Sequence, residues 1–121
     1  MSPFPELIVI KIGARLWKLY ADYKYKDITV PKGFVTDFAS VPSLFWIIVP
    51  PDGEYTAAAV VHDFLYCLQD RTRNEADNIF LEIMRELGVS AWKREVMWLA
   101  VRMFGWIPWN KKEKNCITVE I

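Results

Sequence analysis

The hydrophobic pattern changes period once along this 121-residue chain, and that change constrains the fold more than any other feature. Up to about residue 35, branched and aromatic residues alternate with polar ones, which is the period of a half-buried strand. From about residue 54, apolar residues recur every three or four positions, which is the period of a helix that packs on one face. The sequence therefore predicts an α+β fold with its strands first and its helices after them.

Short turns divide the first part into strands. A branched run ends at Gly13, and we expect it to pair as a hairpin with the alternating run that follows. Pro31-Lys32-Gly33 predicts a turn, because proline presets φ at one corner and glycine accepts a positive φ at the next. The expected strands cover 7–12, 15–20, 23–25, 28–30 and 34–35.

Three helices are expected in the second part. The first covers 54–69 with a cap at Asp52; the second begins at a cap on Asn74, with Asp77 as reciprocal partner, and ends at Gly88. The third begins at Ser90 and ends at Gly105. One helical turn at 43–48 and a return strand at 116–121 are also expected. The prediction is one domain, 1–121, with a small antiparallel sheet packed on three helices, two of them antiparallel.

Apolar residues of the third helix recur at helical spacing, which predicts its packed face. They are Trp92, Val96, Leu99, Ala100 and Met103. Most tryptophans are expected in the core; the set is Trp46, Trp92, Trp98, Trp106 and Trp109. In an alternative interpretation, the run from Trp106 to Trp109 rests on a membrane surface, because lysines at 111, 112 and 114 follow it.

Composition excludes several classes of protein. Lys+Arg and Asp+Glu are equal at 15 each, and so the chain lacks the basic excess typical of a nucleic-acid binder. Its most apolar segment, 44–49, is six residues long, whereas a spanning helix needs about 20. The two cysteines, Cys67 and Cys116, form no metal-ligand cluster and no disulfide framework. They fit a reducing cytosol, and a single pair also leaves export open.

The only histidine, His62, lies in the first expected helix. Asp63 is its neighbour on the helix surface, and Tyr66 lies one turn further on, between the two. Ala58 and Ala59 lie one turn before them. These small residues predict a patch with little side-chain bulk, where a substrate would have room.

A lone histidine acts as a general base only if an acceptor holds its second ring nitrogen. Asp63 diverges from His62 and suits a metal ion better. Asp77 is the candidate acceptor, because the turn at 70–73 brings the first half of the second helix beside His62. A catalytic role requires these three groups to converge on a notch that water can reach; burial of the cluster would favour a structural role.

The run His62-Asp63-x-x-Tyr66, followed by Ala76-Asp77, resembles secreted phospholipases A2. The disulfide-poor forms in parvovirus capsids and in bacteria are the most similar. The resemblance implies that His62 activates a water, Asp63 binds calcium, Tyr66 braces the site and Asp77 orients the histidine. It also implies that calcium polarises an ester carbonyl of a phospholipid and stabilises the oxyanion.

The calcium loop of that family is rich in glycine, and this chain departs from it. The segment in its place, 33–42, has glycine only at its start. Asp37, Thr36 and a few carbonyls would then complete a calcium site with Asp63, since calcium takes six to eight oxygen ligands.

A second resemblance covers more of the chain. Its motifs are Gly33-Phe34-x-Thr36-Asp37-x-Ala39-Ser40-x-Pro42, His62-Asp63-x-x-Tyr66, Glu75-Ala76-Asp77-x-x-Phe80 and Val101-Arg102-x-Phe104-Gly105. Over roughly 28–106 the chain is similar to a small family of uncharacterised proteins encoded by tailed bacteriophages and prophages. This similarity implies the bacterial host cytoplasm or the virion as the location, and other virion or host proteins as partners.

Three functions stay open on these grounds. The leading hypothesis is a phage-encoded, calcium-assisted hydrolase of phospholipase A2-like type. The alternative is a non-enzymatic virion or assembly protein, or an inhibitor of a host factor, in which the His–Asp–Tyr cluster is structural. A hydrolase of cell-wall or other amide bonds would use the same cluster, and a Ser40–His62–Asp37 triad is a further arrangement.

Overall fold

The computed structural model describes residues 9–13, 16–36 and 56–110. The described strands are β1 (Val9–Gly13), β2 (Leu16–Leu19), β3 (Tyr23–Tyr25), β4 (Ile28–Val30) and β5 (Val35–Thr36). The described helices are α1 (Thr56–Leu68), α2 (Arg73–Glu86), α3 (Ala91–Phe104) and α4 (Trp106–Trp109). This order confirms the predicted α+β class. The chain divides into a strand unit and a helical unit, and each is described by itself.

The strand unit contains two small antiparallel sheets. One has the strand order β1-β2-β5, and the other is the β3–β4 hairpin. The register between β1 and β2 shifts between Lys11 and Gly13, where Gly13 lies opposite Leu16, so the predicted hairpin around Gly13 is confirmed. Gly33 has a φ of 90°, as the predicted turn requires.

Strands β3 and β4 show the alternation that the sequence predicted. Tyr23 and Tyr25 are buried on one strand, as are Ile28 and Val30 on the other, while the residue between each pair is exposed. The two strands pair so that Tyr23 lies opposite Val30. Their four apolar side chains therefore share one buried face.

The helical unit is built around α1. From Ala57 to Tyr66 every residue of this helix except Asp63 is buried. A helix that is apolar around most of its circumference has to be covered on several sides. Accordingly, α1 packs against α2 and against α4, and α2 packs against α3.

Helix α2 begins at a different cap from the one predicted. Thr72 accepts a hydrogen bond from the backbone N–H of Glu75 at 3.1 Å, and Glu75 accepts one from the backbone N–H of Thr72 at 3.1 Å. The predicted cap at Asn74 with Asp77 is therefore wrong. Because the true box lies two residues earlier, Asp77 falls in the interior of the helix. The predicted end at Gly88 is confirmed by its φ of 84°.

Helix α3 buries Ala100 of the predicted face, but otherwise it turns a neighbouring face inward and leaves most of the predicted residues outside. Its buried residues are Met97, Ala100 and Val101, whereas Trp92 and Met103 are exposed. The prediction that the tryptophans belong to the core is likewise wrong for Trp92 and Trp106. The one-turn helix α4 was not predicted.

Cys67 on α1 is disulfide-bonded, whereas the cysteine count left both a reducing cytosol and export open. Local spacing could not show this, because a disulfide depends on tertiary proximity. Within the described ranges, none of the helices combines the length and apolar character needed to cross a membrane. Several predictions fall outside the described residues: the cap at Asp52, the turn at 43–48, the strand at 116–121, Trp46, Asp37 and Ser40.

Candidate functional site

One buried carboxylate, that of Asp77, joins three helices. Helix α1 contributes His62 and Tyr66, which are four residues apart and so lie on one face. Helix α2 contributes Asp77 and Arg73, again four residues apart, and α3 contributes Arg102. We refer to these five residues as the Asp77 cluster.

Each carboxylate oxygen of Asp77 accepts two hydrogen bonds. His62 Nε2–H donates to Oδ1 at 2.7 Å, and the Tyr66 hydroxyl donates to the same oxygen at 2.6 Å. Arg102 Nη1 donates to Oδ2 at 2.8 Å, and Arg73 Nη1 donates to it at 3.4 Å. Since an ionised carboxylate has about four acceptor positions, these donors occupy all of them.

His62 and Asp77 have no solvent-exposed surface. Burial by itself raises the pKa of a carboxyl group, but hydrogen bonds from His62, Tyr66 and Arg102 outweigh it, so the pKa of Asp77 lies below its usual value. Burial, together with the bond to Asp77, raises the pKa of Tyr66 well above its usual value. The cluster therefore holds a charged carboxylate beside a neutral phenol.

Aromatic rings surround the imidazole. The ring centroid of His62 lies 4.3 Å from that of Tyr66 and 4.5 Å from that of Phe80. Trp109 of α4 meets Tyr66 edge-on, with centroids 5.1 Å apart. Gln69 then donates from Nε2 to the carbonyl of Trp109 at 2.8 Å, which fixes α4 against the end of α1.

Arg73 also binds the end of α3. Its Nη1 donates to the carbonyl of Val101 at 2.9 Å, and the guanidinium reaches the carbonyl of Arg102 at 3.4 Å. A cation at the last carbonyls of a helix satisfies their acceptors and is favoured by the helix dipole. Gly105 follows directly, and a Cβ there would collide with the Tyr66 hydroxyl and the Val101 carbonyl. The cluster thus needs a glycine at this point.

The catalytic hypothesis required His62, Asp63 and Asp77 to converge on a notch that water can reach. The structure instead joins His62 and Tyr66 to Asp77 and seals His62 and Asp77 from water. Asp63 lies beside His62 on α1 and is partly exposed. Ala58 and Ala59 are fully buried, so the predicted open patch is filled by packing. Their role in substrate binding remains a prediction.

The predicted calcium site rests on Asp63 and Asp37, and Asp37 lies outside the described residues. Within 9–13, 16–36 and 56–110, no three histidine, cysteine or acidic side chains gather in a way that would hold a metal ion. Calcium therefore stays a prediction from the resemblance.

Sequence reasoning missed the two arginines of the Asp77 cluster. Arg73 lies four residues before Asp77, which is the usual spacing of a helical ion pair, so this spacing could have indicated it. Arg102 occurs in the last motif of the second resemblance, but nothing local connects it with a residue 25 positions away.

Comparison with known proteins places the chain in a family that is described as "Protein of unknown function (DUF1353)". The family model matches residues 17–101, and the chain belongs to this family. Among curated proteins it is similar to the uncharacterized proteins y4jT and y4iH of Sinorhizobium fredii. Identity to y4jT is 35% over 97 residues, and identity to y4iH is 34% over 113 residues.

The matched regions cover 74% and 82% of this chain but only 29% and 47% of those two relatives, so both relatives are considerably longer. No solved structure gives a significant match.

Proposed function

We propose that this protein is a non-enzymatic binding or assembly protein in which the Asp77 cluster is structural. The observation that carries the proposal is that His62 and Asp77 have no exposed surface while all acceptor positions of Asp77 are used. A general base has to exchange its proton with water or substrate, and a sealed imidazole has no direct route to either.

The cluster has a clear structural task. Burying a charge is unfavourable unless the charge is paired and hydrogen-bonded, and Asp77 recruits its partners from all three long helices. Once formed, this network is directional, so it specifies one arrangement of α1, α2 and α3. Removal of the carboxylate would take the acceptor from the partly buried Arg102 and the counter-charge from Arg73, which would keep its bonds to the carbonyls at the end of α3.

The setting of this binding protein follows from the resemblance to phage and prophage proteins. A virion or assembly component, or an inhibitor of a host factor, would work in the bacterial host cytoplasm or in the virion. The disulfide at Cys67 favours the virion, because the cytosol keeps thiols reduced. The relatives named above come from a bacterium, which is compatible with a bacterial setting.

A phospholipase A2-like hydrolase is the second candidate. It is favoured by the hydrogen bond from His62 Nε2 to Asp77 and by the bond from Tyr66 to the same oxygen, because the resemblance implies these roles. With the proton on Nε2, Nδ1 is the basic nitrogen. Asp63 with Asp37 would hold the calcium ion. A hydrolase of amide bonds would use the same dyad.

An assay of fatty-acid release separates the two candidates. Phosphatidylcholine vesicles are incubated with folded wild type, His62→Gln or Asp63→Asn. Each protein is tested once with calcium and once with a chelator. We expect no release in any sample. We also expect His62→Gln to lower the free energy of unfolding more than Asp63→Asn does, because His62 is fully buried whereas Asp63 is partly exposed.

Calcium-dependent release that is lost in both variants would overturn the proposal in favour of the hydrolase. Asp63→Asn is the informative control, because a calcium ligand is essential to the enzyme and dispensable to the structural cluster.

A further inference from the structure

Helices α3 and α4, which follow one another across Gly105, expose large apolar side chains. Trp92, Leu99 and Met103 of α3 and Trp106 and Ile107 of α4 are each between 48% and 63% exposed. We refer to these five residues as the α3–α4 face. Soluble proteins rarely expose a contiguous apolar patch without a partner for it.

The three residues of α3 form a stripe. At about 100° per residue, Leu99 and Met103 lie within about 20° of Trp92 around the helix axis. A helix of 14 residues is about 21 Å long, and the stripe follows most of that length. Val96, which is half-buried, lies on the same line. The inward face, with Met97 and Val101, is already packed, so the stripe is a second apolar surface.

The segment that carries this face is basic. Residues 91–114 contain six Lys and Arg against two Glu, a net charge of +4, while the remainder of the chain carries −4. The same segment holds four of the six tryptophans. On α3 itself the charged residues are Lys93, Arg94, Glu95 and Arg102, of which Arg102 is bonded to Asp77. Lys93 Nζ lies 5.8 Å from the ring centroid of Trp92, so a cation already borders the stripe.

We propose that the α3–α4 face docks on an anionic lipid surface. Tryptophan favours the headgroup region, apolar side chains enter the acyl boundary, and lysine and arginine attract anionic headgroups. A second copy of the chain fits less well, because Lys93 and Arg94 on α3 of one copy would meet the same cations on α3 of the other. This inference rests on the proposed function as a binding protein and names the chemistry of its partner.

Vesicle flotation tests the proposal with the whole chain. The vesicles contain phosphatidylcholine alone or phosphatidylcholine mixed with phosphatidylserine. We expect binding to the mixed vesicles, weaker binding at high salt, and a loss of at least about tenfold in the partition coefficient for Leu99→Glu. Met103→Glu serves as a second variant, because Met103 is even more exposed than Leu99.

Tyr20→Glu is the matched control. Tyr20 is 47% exposed in the strand unit, against 50% for Leu99, so the change removes a similar apolar side chain and adds the same charge elsewhere. We expect this variant to bind as wild type does. Circular dichroism melts establish that every variant is folded.

The docking proposal would be overturned if wild type did not bind the mixed vesicles. It would also be overturned if Leu99→Glu and Met103→Glu bound them as strongly as wild type does. Concentration-dependent dimers in sedimentation velocity, abolished by Leu99→Glu and without vesicle binding, would assign the face to a second copy instead. Fatty-acid release measured on the same samples distinguishes the proposals: docking with release overturns only the non-enzymatic function.

Discussion

At the scale of single residues, Asp77 determines how the helical unit is organised. Its carboxylate is charged, fully buried and bonded by one imidazole, one phenol and two guanidinium groups. Such a network is stable only when complete, because each partner left alone would be a buried or half-buried polar group without its bond. The residue thus makes the packing of three helices depend on one side chain.

Acid should weaken the protein through Asp77. Its pKa is lower in the folded state than in the unfolded chain, where it is about 3.9. The stability that it contributes is therefore complete above about pH 4 and is lost as pH falls through the folded pKa. Urea unfolding of wild type and Asp77→Asn, measured from neutral pH downward, should give a difference in unfolding free energy that shrinks on acidification.

At neutral pH we expect that difference to be about 3–5 kcal/mol, the usual cost of breaking a buried ion pair. The pKa of Glu75 is also lowered by its bonds to Thr72, so wild type loses stability in acid from more than one group. Because both proteins contain Glu75, their difference in unfolding free energy reports only the contribution of Asp77 to the pH dependence. A difference that stays constant down to the lowest pH would contradict the assignment.

Gly105 is required by space and not by backbone conformation. Its φ is −64°, which any residue adopts, but an added Cβ would meet the Tyr66 hydroxyl and the Val101 carbonyl and come within 3.0 Å of Arg73 Nη1. Gly105→Ala should therefore destabilise the protein by about 1–3 kcal/mol, measured by urea unfolding. In a Tyr66→Phe background the same change should cost less, because one colliding atom is gone. If Gly105→Ala lowered the free energy of unfolding equally in both backgrounds, the Tyr66 hydroxyl would not be what excludes a larger residue at position 105.

At the scale of elements, the start of α2 shows how a local choice has a distant effect. Thr72 and Asn74 are both acceptable capping residues, and each is followed three positions later by an acid. The structure uses Thr72 with Glu75. This choice leaves Asp77 inside the helix, where it faces His62 instead of capping its own helix.

The two candidate caps make opposite predictions for alanine variants. Thr72→Ala should lower the free energy of unfolding by about 1 kcal/mol, because it removes the acceptor for the Glu75 N–H. Asn74→Ala should change it little, since Asn74 is exposed and lies inside the first turn. Thermal or urea unfolding of both variants measures the difference. A larger loss of stability for Asn74→Ala would support the predicted cap at Asn74 and contradict the cap at Thr72.

At the scale of the whole molecule, the order of strands and helices was predictable, and much of the site was not. Strands β3 and β4 were predicted at their observed residues, because alternation and turn residues act over a few positions. His62, Tyr66 and Asp77 were singled out by spacing, by the turn at 70–73 and by the resemblance to phospholipases A2. The arginines were not, because the bond from Arg102 to Asp77 depends on how α3 packs against α2.

The α+β order, the Gly13 hairpin and the proximity of His62 and Tyr66 were predictable from local patterns, because periodicity, turn residues and spacing along one helix act over a few positions. The sealing of His62 and Asp77 from water was not predictable in this way, and neither was the orientation of α3, which turns Met97 and Val101 inward and leaves Trp92 and Met103 outside. Burial is set by what the neighbouring helices cover. A helix with two apolar faces does not reveal in its own sequence which face they will cover.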